Sequence, residues 1–226
     1  MTLVVFDLGE TLISYSGIPL NWSEHYLSAI DGFLNKNEIV ASPYDLELAA
    51  SVLEFYNTRI NHRLFEVDEG DVTKKIANIL GVNYFEFEVS FFAYFQQRVE
   101  LEPSALETLK ELKKQNVFTA LLSDVPYGMP RNYLIEDLGI LASYIDVIMS
   151  SCDVGVRKPH PLGLITLMDQ FRMDRNNVYY VGNEEKDINC AKNAKIKSIL
   201  LQSDKSNSYG QTYSAKTLSD ILKYVL

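Results

Sequence analysis

Several short, uninterrupted apolar runs, each ending in a polar residue or a turn, constrain this chain more than any other feature. They are TLVVFD (2–7), VFTALLSD (117–124), YIDVIMSS (144–151), NVYYVGN (177–183) and KSILLQ (197–202). Their apolar positions are consecutive rather than alternating, as in strands covered on both faces by helices in a parallel sheet. Helical patterns lie between them. SALETLKELKKQN follows Pro103, places Ser104 and Glu107 in capping-box spacing and ends in lysines that suit a helix C-terminus. PLGLITLMDQF and DINCAKNAK supply two more helices, and SAKTLSDILKYVL closes the chain with Leu218, Ile221, Leu222 and Val225 on one stripe. Strand–helix alternation of this kind predicts a doubly wound α/β layer structure.

One interval interrupts the alternation. NWSEHYLSAIDGFLNK, SPYDLELAASVLEFYNTRI and DVTKKIANILGV all read as helices. NYFEFEVSFFAYFQQRV fits either period, since Phe85, Phe87, Val89 and Phe91 alternate while Tyr84, Phe87, Phe91 and Tyr94 fall on a helical face; its length favours helix. The expected organisation is therefore an α/β core from residues 1–14 and 101–226, with a helical module inserted at 15–100. The aromatics of that module are expected to serve its own packing, with a substrate-facing ring among them as the alternative.

Composition narrows the classes of function. Of 226 residues 47% are hydrophobic and 23% charged, with a net charge of −9. That balance suits a globular protein and argues against a general nucleic-acid or anionic-membrane binder, which needs clustered Lys and Arg. A small phosphorylated ligand remains compatible, because two or three local cations suffice for it. No run reaches the roughly 18 apolar residues of a membrane span. The N-terminus lacks a basic region and meets Asp7 too early for a signal peptide. Cys152 and Cys190 show neither disulfide nor zinc spacing, and Cys190 is expected to be a small buried residue, so a reduced, cytoplasmic protein is expected.

In open parallel sheets ligands bind beyond the carboxyl ends of the strands. The polar residues expected there are Asp7, Ser123 and Asp124, Lys158 in the GVRKP loop, and Asn183 followed by Asp187. A carboxylate, a hydroxyl, a lysine, and an amide with a second carboxylate form a coherent set for phosphoryl transfer. Each also has an ordinary structural use: Asp7 and Ser123 as turn residues, Lys158 as a solvated loop lysine, Asp187 as the N-cap of a helix starting at Ile188. Arg157, Glu184 and Glu185 are expected to face solvent, with tuning of a metal by either glutamate as the alternative. His25, His62 and His160 show no ligand spacing, and only His160 lies near a motif, where a substrate contact is the alternative.

Four stretches in order, VVFDLGETL, ALLSD, VGVRKPHP and VGNEEKDINCAKNA, resemble the motifs of haloacid-dehalogenase-like (HAD) hydrolases with an α-helical cap inserted after the first motif. The resemblance spans the chain. It implies a Rossmann-like core in which Asp7 is a nucleophile that becomes transiently phosphorylated. Ser123 would hydrogen-bond the phosphoryl group, with Asp124 beside it, and Lys158 would offset its charge. It further implies Mg²⁺ held by Asp7, the Gly9 carbonyl, Asn183 and Asp187, the last directly or through water. The substrate implied is a small phosphorylated metabolite.

Two departures stand out. The family's phosphatases carry an Asp two residues beyond the nucleophile as general acid and base, where this chain has Gly9; Glu10 is one residue further on. Such help is worth roughly a hundred- to ten-thousand-fold. Asn183 stands where the family commonly has a metal-binding Asp, which keeps an oxygen ligand but removes a charge. Three functions stay open at this point. One is a phosphohydrolase limited to leaving groups that depart unprotonated, such as anomeric, acyl or aryl phosphates. Another is a dehalogenase- or phosphonatase-like hydrolase, the former resembling sites with a Tyr at position 9 and the latter needing a cap lysine such as Lys36, Lys74 or Lys75. The last is a non-catalytic binding or regulatory protein of the same fold.

Overall fold

The computed structural model describes residues 1–19, 21–202 and 208–226. Strand β1 (Leu3–Phe6) leads through a tight turn into β2 (Ile13–Tyr15). Four helices follow: α1 (Tyr26–Lys36), α2 (Pro43–Tyr56), α3 (Asp71–Leu80) and α4 (Tyr84–Gln96). The chain returns through β3 (Val99–Leu101), which pairs antiparallel with β2, so that the outgoing and incoming chain lie side by side. Alternation then resumes with α5 (Ala105–Lys114), β4 (Phe118–Ser123), α6 (Arg131–Leu138), β5 (Val147–Ser150) and the single-turn α7 (Ser151–Val154). It continues through α8 (Leu162–Phe171), β6 (Val178–Gly182), α9 (Glu185–Ala194), β7 (Lys197–Leu201), β8 (Tyr213–Ala215) and α10 (Leu222–Val225).

Six strands form one parallel sheet in the order β5-β4-β1-β6-β7-β8. The consecutive apolar runs follow from burial on both faces. Val4 and Phe6 of β1 pack with α5, α6 and the inserted helices, while Leu3 and Val5 pack with α8 and α9. Burying a large aliphatic or aromatic side chain contributes about 1.5–3 kcal/mol, so a one-residue slip of β1 would be strongly disfavoured. The fold is the expected α/β Rossmann-like core with a helical cap.

The ambiguous segment at 83–99 is helix α4, capped by Asn83, whose side chain accepts the Glu86 N–H at 3.2 Å. Phe87, Phe91, Phe92 and Phe95 are buried on it. Helical spacing wins because it gathers these rings on a single packed face. Cys190 is buried as expected, and neither cysteine forms a disulfide.

Three local expectations are corrected. Ser104 does not cap α5: it adopts a left-handed conformation at φ 64°, and its buried Oγ has no hydrogen-bond partner. The closing helix is far shorter than its stripe suggested, because Tyr213–Ala215 is strand β8 beside β7 and only a 3₁₀ turn at Leu218–Ile221 precedes α10. Pairing with a free sheet edge outcompetes the helical pattern there. Asp187 is not an N-cap, since α9 starts at Glu185.

Candidate active site

The strand order reverses direction around β1, with β4 on one side and β6 on the other, and the crevice outside their carboxyl ends holds the polar residues. Asp7 follows β1 directly and donates its backbone N–H to the Val181 carbonyl at 2.9 Å, which fixes it against β6. Its side chain is almost fully buried, and Oδ1 accepts from Lys158 Nζ at 2.5 Å. Burial pushes the Asp7 carboxyl up to about 6, against the opposing charge of Lys158. Its second oxygen has no protein donor among the described residues.

Lys158 bridges two carboxylates, with Asp187 Oδ1 at 2.7 Å. Burial alone would lower its pKa, but Asp187 and Asp7 raise it well above the usual lysine value, so it stays charged. Asp187 is fully buried and sits at the third position of α9, where Oδ2 accepts the Asn183 and Glu184 N–H groups at 3.1 and 2.9 Å. Gly182 makes this possible, since a Cβ there would lie 2.5 Å from the Asp187 side chain.

Ser123 ends β4 beside the cleft, and its hydroxyl makes no hydrogen bond within the described residues. Asp124 Oδ1 accepts the Lys158 backbone N–H at 3.0 Å. Burial raises the Asp124 carboxyl, but Lys158, Arg157 and Lys186 outweigh it and hold its pKa below the usual range. Gly9 lines the cleft next to Asp7, its φ is not left-handed, and a Cβ there would meet nothing within 4 Å. Neither backbone conformation nor crowding therefore requires glycine at this position. Glu10 is exposed and left-handed at φ 54°, and does not line the cleft.

The fit to a hard cation rests on these oxygens. Asp7 offers a carboxylate oxygen without a donor, the Gly9 carbonyl accepts no backbone bond, and Asn183 Oδ1 takes only a long 3.4 Å contact from Thr11. An all-oxygen set of this kind suits Mg²⁺. Both oxygens of Asp187 are committed to Lys158 and to backbone amides, so it fits better as a partner behind the ligands than as a ligand. Among the described residues no three His, Cys, Asp or Glu side chains are grouped so as to hold a metal ion by themselves.

The cleft encloses about 830 Å³ including its open mouth. Asp7, Gly9, Ser123 and Asp124 form its floor, while Lys158, Asn183 and Asp187 lie outside the lining. Residues that the sequence did not single out complete the wall. Trp22 and Tyr56 come from the cap, whose aromatics were expected to serve mainly its own packing, and Tyr127 comes from the loop after β4. Arg59 of the cap reaches Glu184 of the core with both guanidinium nitrogens, and Lys186 Nζ lies 2.7 Å from the same carboxylate. Glu184 is thus not a free surface residue: burial raises its pKa, but Arg59 and Lys186 draw it down to about 2. Glu185 is exposed as expected. His160 takes the Leu162 N–H on Nδ1 and stays out of the cleft, as do Lys36, Lys74 and Lys75.

Arg157 is buried, not solvated. A cap loop runs antiparallel beside it, with Glu66 N–H to Gly155 O at 3.0 Å and Arg157 N–H to Leu64 O at 2.8 Å. The buried Glu66 carboxylate pairs with the Arg157 guanidinium and also accepts from Ser151 Oγ at 2.6 Å, Arg63 at 2.8 Å and the Val67 N–H at 2.9 Å. Arg157 further donates to the Val125 carbonyl at 2.8 Å. No motif signals this contact, because the partners lie far apart in sequence on irregular chain.

With this geometry established, comparison with known proteins assigns the class. The family model for haloacid dehalogenase-like hydrolases matches residues 4–201, and the chain belongs to that family. Among curated relatives, a phosphoglycolate phosphatase from Pectobacterium atrosepticum is 30% identical over 129 residues, which cover 54% of this chain. The chain spans only about half of that relative's length, 51%. The pyrophosphatase PpaX of Bacillus cereus is 25% identical over 99% of this chain and 94% of its own. A HAD phosphatase structure from Thermococcus onnurineus superposes with a TM-score of 0.67 at 18% identity, over all of this chain and 98% of that one, a likeness that establishes the fold. Among the described residues no helix is long and apolar enough to cross a membrane.

Proposed function

We propose that this chain is a Mg²⁺-dependent phosphohydrolase acting on a small phosphorylated metabolite through a phosphoaspartyl intermediate on Asp7, and that it favours leaving groups that depart without protonation. The observation that carries this reading is the placement of Asp7: a buried carboxylate at the carboxyl end of the central strand, with one oxygen held by Lys158 and the other without a protein donor, on the floor of a cleft. The names of the curated relatives, phosphoglycolate phosphatase and pyrophosphatase, support the same class of reaction.

Lys158 fixes the orientation of Asp7 and keeps a positive charge beside it. A carboxylate oxygen of Asp7 attacks phosphorus, a new O–P bond forms, and the bond to the leaving oxygen breaks. The leaving oxygen carries away its electron pair as an anion, because Gly9 has no proton to give. Ser123 Oγ, which lines the cleft and has no other partner among the described residues, donates to a phosphoryl oxygen. Water then attacks phosphorus, the Asp7–phosphorus bond breaks, the carboxylate is restored and inorganic phosphate leaves, with the proton of water passing to solvent. Magnesium on Asp7, the Gly9 carbonyl and Asn183, with Asp187 behind them, would neutralise charge on the phosphoryl oxygens. The phosphonatase-like alternative draws no support, because none of Lys36, Lys74 and Lys75 lines the cleft.

A panel of sugar, nucleotide, acyl and aryl phosphates, assayed with Mg²⁺ for wild type and Asp7→Asn, tests the reading. Turnover in wild type that vanishes in the variant is expected. Turnover that survives in Asp7→Asn removes Asp7 as nucleophile, and a blank panel with folded wild type shifts the reading to a non-catalytic protein.

A further inference from the structure

The floor of the cleft is charged, but its cations are spoken for. Arg59 and Lys186 both face Glu184, and Arg157 is held by Glu66. Among the described residues these are the cations that line the cleft. A substrate with a second anionic group would therefore have to break an ion pair to find a positive partner. The polar groups on the cap side are also committed. The Asn57 amide donates to Asn21 Oδ1 and to the Tyr26 hydroxyl, both at 2.7 Å, and accepts the Arg59 N–H at 2.9 Å. The Tyr15 hydroxyl donates to Asp137 at 2.6 Å, and the Tyr127 hydroxyl is joined to that of Tyr26. A polyhydroxylated leaving group would meet few free partners, and leaving such hydroxyls unpaired is costly.

What remains is an apolar wall of half-buried Tyr15 and Tyr56, backed by the more deeply buried Trp22, Tyr127 and Met129. It is held rigidly. Trp22 stacks on Phe95 with ring centroids 3.8 Å apart and 8° between planes, Tyr15 meets it edge-on at 5.9 Å, and Tyr127 lies tilted at 5.9 Å. Flat rings packed against such surfaces gain attraction beyond their buried area.

We infer that the substrate of this cleft is an aryl phosphate monoester, a phosphoryl group carried on a flat, uncharged aromatic ring. The inference rests on the phosphohydrolase reading and narrows it. Gly9 points the same way independently: an aryl oxide, with a conjugate-acid pKa of about 10 as in tyrosine, departs without a proton donor far more easily than an alkoxide.

Trp22 is the sole tryptophan of the chain, so its fluorescence reports occupation of the cleft directly. Non-hydrolysable phosphonates separate ring recognition from leaving-group chemistry. With Mg²⁺ present, benzylphosphonate should bind the full-length protein about tenfold or more tighter than phosphonoacetate or methylphosphonate. Tyr56→Ala, at the end of α2 and only half-buried, should weaken benzylphosphonate about three- to tenfold and move methylphosphonate by less than about twofold. Phosphonoacetate binding as tightly as benzylphosphonate overturns the inference, as does an equal loss for both probes in Tyr56→Ala or no binding of any phosphonate. The readout does not depend on turnover. Hydrolysis that requires Asp7 alongside a preference for phosphonoacetate refutes the aryl assignment alone, whereas a benzylphosphonate preference without hydrolysis of any ester refutes the phosphohydrolase reading.

Discussion

A carboxylate restored at position 9 should rescue hydrolysis of the esters whose alkoxides leave poorly. In Gly9→Asp the new Cβ meets nothing within 4 Å and the backbone is not left-handed, so neither the backbone nor the first side-chain atom opposes the substitution. It stands two residues from Asp7 on the lining of the cleft, where a protonated carboxyl can donate to a departing oxygen. General acid help is worth about 100- to 10,000-fold, or about 2.7–5.4 kcal/mol of barrier. All of it should appear for alkyl phosphates, whose leaving oxygens need the proton. Aryl and acyl phosphates, which leave as stable anions, should change by less than about threefold. The assay is kcat/KM for wild type and variant over a series of esters graded by leaving-group pKa, with thermal unfolding of both proteins alongside. The dependence on leaving-group pKa should flatten in the variant. A uniform gain across the series, or no gain in a folded variant, refutes the reasoning that the missing acid limits this site.

Gly182→Ala should lower activity and stability together. Its methyl group falls 2.5 Å from the Asp187 side chain, which must shift and disturb its buried pairing with Lys158, so turnover should drop about tenfold or more and the midpoint of unfolding should fall with it; unchanged kcat and midpoint would show that the Asp187–Lys158 pairing carries neither. Asp137 gives a pH signature. Burial raises its carboxyl to about 6 in spite of the Tyr15 hydrogen bond, and its Oδ1 is buried without a partner. Because the folded pKa lies above the unfolded value of about 3.9, the folded state binds the extra proton: this contribution is complete below about pH 4 and is lost as pH rises through about 6, by about 3 kcal/mol at most. Asp137→Asn should therefore match wild type in urea unfolding near pH 4 and exceed it by about 1–3 kcal/mol at pH 7.5, and a constant offset at every pH would refute the assignment.

The core was legible because its signals are local. Leu3–Phe6 must be buried on both faces, the acid that follows must then lie at a strand end, and the helical period of 83–99 is confirmed by the rings it buries. The same logic brought Asp7, Ser123, Asp124 and Lys158 to one crevice. Charged residues whose partners lie across the fold gave no such signal. Arg157 and Glu184 read as solvated because that is the ordinary fate of a loop charge, and only the fold shows Glu66 and Arg59 waiting for them. Trp22 and Tyr56 look like packing residues in sequence, since a ring that lines a cleft and one that fills a core have the same chemistry. Ser104 and β8 were misread for another reason: a capping pattern and a helical stripe are both weak preferences that tertiary pairing overrides.

The pairing of Glu66 with Arg157 bears on how separable the two parts of this chain are. The guanidinium is built into the core next to Lys158, but its counter-charge is supplied by the insert. A cap that covered the same pocket without that carboxylate would strand a cation in a low-dielectric environment, a loss of about 3–5 kcal/mol for a buried pair broken on one side. That is a large part of the 5–15 kcal/mol by which a typical domain is stable. The cap is thus not an interchangeable accessory on a self-sufficient catalytic core. A graft from a relative would have to deliver a carboxylate to the same place, and modular exchange of caps onto this core is restricted to donors that do so.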